Sequence, residues 1–194
     1  MSITINGTTG ITTPGATVTG AATANSLQVG GVGTNVQPLV RGTSVSSVSG
    51  TSIDFTGIPS WAQRVTVMFA QVSTSGTSVP IVQLGISSGF ITSTYVSASG
   101  WGGSAGQYAT ATNGFALLAS ATSTAANYFS GSIVITNLAS GTWVEQCGFY
   151  ANASAIQCNG GGGVNIGDVL TQLRITTVGG TDTFDGGAIN IMYE

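Results

Sequence analysis

The sequence predicts an all-β protein, an antiparallel β-sandwich of jelly-roll type preceded by an extended N-terminal arm. Three observations carry that prediction. From about residue 51 apolar residues alternate with Ser and Thr, the period of a half-buried strand. Turn-forming Gly, Pro, Asn and Ser recur about every 8 to 15 residues, the rhythm of a sandwich of about 8 to 10 strands. β-Branched and Gly-rich flanks leave no room for a long helix.

Residues 1 to about 42 read as an arm. Ile3, Ile5, Ile11 and Val18 stand singly between Gly and Thr, and Leu27 and Val29 continue the pattern less regularly. No aromatic residue precedes Phe55, so this stretch cannot build a core of its own. Those six side chains are therefore the expected contacts to another copy or another protein. Residues 43–50 read as a linker, and 51–194 as the sandwich.

Ser52–Phe55 opens the strands, and Gly57-Ile58-Pro59-Ser60 turns the chain. Arg64–Val72 alternates on both registers and is expected to be buried on both faces. Val79–Ile86 follows, with further strands expected at 90–97, 114–119, 128–136, 142–150, 154–158, 169–178 and 186–193. Ala116-Leu117-Leu118-Ala119 is compatible with a single helical turn. Gly160-Gly161-Gly162-Gly163 lacks the lysine of a phosphate-binding loop and reads as a loose connection between strands.

Only nine of 194 side chains are charged; lysine and histidine are absent, and the net charge is −3. Arg41, Arg64 and Arg174 make no basic footprint, so nucleic acid is not an expected partner. Mean hydropathy is positive, yet polar residues break every apolar run short of the roughly 18 residues a membrane span needs. Met1–Gly7 has neither the basic start nor the apolar core of a signal peptide, so synthesis and assembly in a cytoplasm are expected. Without histidine the usual proton shuttle is missing, and the composition favours a structural or binding protein over an enzyme. A surface so poor in charge points to a homo-oligomer.

The candidate sites are few. Cys147 and Cys158 flank a turn near Asn152 and are expected roughly opposite each other, either as buried thiols or as a disulfide. Asp168, Asp182 and Asp185 offer hard oxygen ligands for calcium, but their turn-like surroundings also suit backbone capping. No cofactor is expected. Glu145 with one of these aspartates would make a glycosidase pair, but it lies mid-strand between Val144 and Gln146 and no local sequence links it to an aspartate. Trp101 and Tyr108, in a Gly-rich stretch, are the candidate receptor or glycan contacts, because aromatic faces suit sugar rings. Trp61 and Trp143, beside strand patterns, are expected to pack in the core.

Three phrases carry a family resemblance: Ser52-Ile53-Asp54-Phe55-Thr56-Gly57-Ile58-Pro59-Ser60-Trp61-Ala62 leading into Arg64–Phe69; Ile133-Val134-Ile135-Thr136-Asn137-Leu138; and Asp182–Glu194. Together with the opening Thr4–Ile11 they resemble β-rich fibre proteins of tailed bacteriophages. The resemblance implies a virion protein, commonly a homotrimer, with the arm attached to tail or capsid and the C-terminal domain facing outward toward a host-surface glycan. The runner-up is a capsid decoration or head-fibre protein that stabilises the shell, and a weaker alternative is a polysaccharide depolymerase.

Overall fold

Alternation dictates the central strands. In Arg64–Thr74 (β4) Val65, Val67 and Phe69 turn inward while Thr66 and Met68 turn out. The same logic shapes Phe129–Ala139 (β10), Thr142–Ala151 (β11) and Phe184–Tyr193 (β14), whose Ile133, Ile135, Phe149, Ile189 and Ile191 share one interior. The computed structural model describes residues 38–102 and 107–194. Their remaining strands are Val40–Arg41 (β1), Val45–Ser46 (β2), Ile53–Thr56 (β3), Pro80–Ile86 (β5), Gly89–Phe90 (β6), Val96–Gly100 (β7), Tyr108–Ala111 (β8), Phe115–Ala116 (β9), Ile156–Asn165 (β12) and Gln172–Thr177 (β13).

These strands form two antiparallel sheets packed together, as a β-sandwich requires. A nine-stranded sheet runs β1-β14-β4-β10-β11-β12-β7-β8, with β2 also on β14. A five-stranded sheet runs β3-β13-β5-β6, with β9 also on β5. Between them lie Val65, Val67, Phe69, Ile133, Ile135 and Phe149 from the first, and Ile53, Phe55, Val82, Leu84, Leu173 and Ile175 from the second. Phe69 and Phe149 meet edge to face at 5.2 Å, and Tyr95 and Phe115 at 5.0 Å. Hydrogen bonds also cross from β7: Ala116 N–H donates to Ser97 Oγ, and Ser99 Oγ donates to the Leu117 carbonyl.

Several elements differ from the sequence expectation. The compact unit begins at Pro38, so β1 and β2 lie in what the sequence assigns to the end of the arm and to the linker. The glycine run is no loose loop but the middle of β12, paired on both sides. Glycine is required there by close approach: a Cβ on Gly160 would stand 2.7 Å from Cys147 Sγ, and one on Gly162 would stand 2.5 Å from the Val96 carbonyl oxygen. In the Gly-rich stretch around the two candidate aromatics, Ser97–Gly100 belong to β7 and Tyr108 opens β8. Phe115–Ala116 is extended, and the only helical turn among the described residues is a 3₁₀ turn at Ser120–Thr122. Expected arm contacts Ile3, Ile5, Ile11, Val18, Leu27 and Val29 lie outside the described residues.

Candidate functional site

The outer face of the nine-stranded sheet is the largest surface that the pairing organises. One row of cross-strand partners runs Met192, Thr66, Val134, Gln146, Gly161, Ala98. The next runs Asn190, Met68, Ser132, Gly148, Asn159, Gly100 and ends on Tyr108. Neither row contains an ionisable group other than the Tyr108 phenol. Charge enters this sheet near strand ends: Arg64, which begins β4 in the row that reaches Val144 through Thr136, pairs with Glu194; Asp185 is exposed near the start of β14; and Arg41 sits on β1. On this face Val96 is 78% exposed, and Val144 and Tyr150 stand out from β11.

Bare backbone makes this face concave. The outward glycines Gly161 and Gly163 meet no atom closer than 3.5 Å, so nothing fills the space above them. A hollow of ≈ 530 Å³ lies over Gly100, Gly102, Asn159 and Gly161 with Tyr108 as a wall. A second, of ≈ 480 Å³, lies over Gly161, Gly162 and Gly163 with Val96 and Thr110 beside it. Both include Ala98 and Gly161, so they form one trough. Its side chains stack and hydrogen-bond; they offer no carboxylate or thiol.

The two aromatic candidates part company here. Tyr108 is 53% exposed and lines the trough. Trp101 is half-buried against the hydrophobic core, and its backbone N–H donates to the Gln107 carbonyl at 3.0 Å. Trp143 is buried in the core, and Trp61 packs on Tyr193 at 5.7 Å. Near Trp143, whose indole N–H has no protein partner, Gln63, Asn137 and Asp168 bound a hollow of ≈ 390 Å³.

The acidic candidates separate as well. Asp182 accepts the Ser78 N–H at 2.9 Å, Asp185 accepts a very short hydrogen bond from the Ser73 hydroxyl, and Asp168 accepts the Val169 N–H at 2.7 Å. Asp168 thus caps its own turn, whereas Asp182 and Asp185 each tie the approach to β14 or its start to a segment about a hundred residues earlier. Among the described residues no three His, Cys, Asp or Glu side chains come together in a metal-sized group. Glu145 points into the sandwich between Trp143 and Cys147, only 7% exposed. Burial pushes its carboxyl up to about 7. The Ser97 hydroxyl and Cys147 thiol pull slightly the other way, without completing a hydrogen bond of ordinary geometry to either oxygen.

The two cysteines are buried, free thiols, and their expected alignment needs correction. Cys147 pairs with Gly160 and Cys158 with Phe149, so they stand diagonally on one face, not opposite each other. Burial, with Glu145 nearby, pushes the Cys147 thiol up to about 12.

Sequence alone missed the outer-face residues Val96, Val144 and Tyr150. Alternation shows that a strand has two faces but not which face the second sheet covers. No protein-family model, curated protein or solved structure matches this chain.

Proposed function

We propose that this chain is a non-catalytic structural subunit of a tailed-phage particle: a homotrimeric fibre whose N-terminal arm, about residues 1–42, attaches to the particle while the sandwich faces outward. The observation that carries this reading is the charge-poor outer face of the nine-stranded sheet, with Val96 and Val144 exposed on it and Arg64 paired to Glu194 where their row reaches β4. Away from that pair the face is held in water by hydroxyls and amides. A second and third copy would cover its apolar side chains while Arg64 keeps its partner Glu194.

The position of Pro38 supports the polarity. Leu39 lies beside Arg64, Met192 and Glu194, where β4 begins and β14 finishes. The described chain enters the sandwich at that end, and in this proposal the opposite end is turned outward. Weak contacts made there by three subunits, and by many fibres, would add up to firm attachment.

Light scattering on the purified chain tests the assembly. A particle of three 19.2 kDa chains is expected, and Val144→Asp on the outer face should release monomers. A monodisperse monomer of the full chain would defeat the reading. Labelled chains on virions then give the address: label at the tail fits a fibre, whereas label on the shell fits a capsid decoration protein.

A further inference from the structure

Where β4 and β10 lie farthest from Leu39, the outer face opens into a separate hollow of ≈ 450 Å³, bounded by Gln71, Tyr128, Ser130, Tyr150 and Asn152. From Phe129 to Thr136 on β10 is roughly 20 Å at strand rise, so this hollow and the entry of the chain are at opposite ends.

Its walls are set by irregularities in three neighbouring strands. Register slips between Phe129 and Gly131 on β10 and between Phe184 and Ala188 on β14. Between these slips Gln71 of β4 adopts φ 53°, a left-handed backbone that a side chain disfavours. Gly187 opposite it, at φ 90°, would place a Cβ 2.4 Å from the Gln71 carbonyl oxygen, so only glycine admits this bend. Bulges of this kind re-aim a side chain, and left-handed non-glycine residues concentrate at binding sites. The Gln71 N–H is held by Ser130 Oγ at 2.9 Å, and the Asn152 N–H by the Tyr128 carbonyl at 2.9 Å. Backbone bonds thus fix the frame, while the Gln71 and Asn152 side chains take no hydrogen bond from another described residue.

Tyr128 and Tyr150 are each 50% exposed at the rim. Two aromatic rings, two carboxamides and a hydroxyl, with no charged group among them, match one ligand chemistry. Ring C–H groups of a sugar stack on tyrosine faces, and a carboxamide, both donor and acceptor, bridges neighbouring sugar hydroxyls. An anionic glycan would want an arginine, and none of Arg41, Arg64 or Arg174 lines the hollow. The volume falls in the range of roughly 300–1,000 Å³ found for small-molecule sites. We propose that Tyr128, Tyr150, Gln71, Asn152 and Ser130 form a binding site for a neutral pyranose glycan. The assignment rests on the reading above for which end of the sandwich faces outward, while glycan binding is measured on the purified chain.

The test is a glycan array carrying neutral hexose and N-acetylhexosamine oligosaccharides beside sialylated and uronate-containing ones, probed with the full chain. Capture of neutral members is expected, weakened at least tenfold by Tyr128→Ala or Tyr150→Ala. Gln71→Gly provides a control for folding: it relieves the left-handed backbone, so the melting temperature should hold or rise while glycan capture falls. No capture by folded wild-type chain would overturn the proposal, as would preference for the acidic members. So would capture that survives both tyrosine variants or is lost instead with Tyr108→Ala. Light scattering of the same sample keeps the two readings apart: a monomer that captures neutral glycan refutes the trimer alone, and a trimer that captures none refutes the site alone. Tyrosine nitration completes the test, because Tyr128 and Tyr150 should stay reactive in the assembled protein, and protection there would make the hollow a subunit contact.

Discussion

Arg174 grips Asp54 through two hydrogen bonds, from Nε at 2.8 Å and from Nη2 at 2.7 Å, across the register that pairs them on β13 and β3. The same guanidinium lies 4.1 Å from the centre of the Phe90 ring. One of only three cations in the chain therefore ties three strands of the smaller sheet, β3, β13 and β6.

That pair is about one-third exposed, so its worth is modest despite its bidentate geometry. Adding the cation–π contact, Arg174→Ala should lower unfolding free energy by about 1–2 kcal/mol in urea melts. Arg174→Lys should recover less than half, since an ammonium cannot form the fork.

The buried Glu145 carboxyl makes stability depend on pH. Its folded value of about 7 exceeds its unfolded value of 4.5, so across that window the folded chain keeps a proton that the unfolded chain gives up. Stability is therefore full below 4.5, falls as pH rises toward 7, and levels off above it, by on the order of 3 kcal/mol. Glu145→Gln should flatten the curve and raise the melting temperature at pH 8. A wild-type curve that rises from pH 5 to 8 would show the carboxylate to be satisfied in the fold.

Along the glycine run, tolerance should alternate. Gly160→Ala and Gly162→Ala force a methyl against Cys147 or the Val96 backbone and should cost about 1–3 kcal/mol. Gly161→Ala and Gly163→Ala, with 3.5 Å or more of clearance, should be near neutral in stability while partly filling the trough. Four thermal melts decide this.

The thiols should be inert while the chain is folded. Diagonal partners stand about 7–8 Å apart at Cα, at or past the usual reach of a disulfide. With Cys147 raised to about 12, a maleimide at pH 8 should label neither cysteine until guanidinium is added. A mobility shift on a non-reducing gel would contradict the diagonal register.

The legible and illegible parts of this fold divide along one physical line. Val65, Val67 and Phe69 declare β4 by themselves, because alternation is local and burial follows from it. β12 is not legible, since a glycine run carries no side-chain period and becomes a strand only when neighbours supply both rows of hydrogen bonds. Glu145 hides for the opposite reason: its pattern position is inward, yet a charge-bearing residue reads as a surface one. The Gln71 bulge has no sequence signal of its own, because its cause lies in Gly187, more than a hundred residues away. Tyr108 was visible as an aromatic among glycines, whereas Tyr128 and Tyr150 join only through the pairing of β10 with β11.

The placement of β14 between β1 and β4 also sets the order of events at birth. A nascent chain still lacking residues 184–193 leaves one whole hydrogen-bonding edge of β4 bare, and the inward row Val65, Val67, Phe69 without the neighbours Ile189 and Ile191. Translation must pass that point before the larger sheet can close, and in the interval the half-made molecule is sticky. Slow codons just upstream would lengthen its exposure, and crowded polysomes would be where it tangles with its siblings.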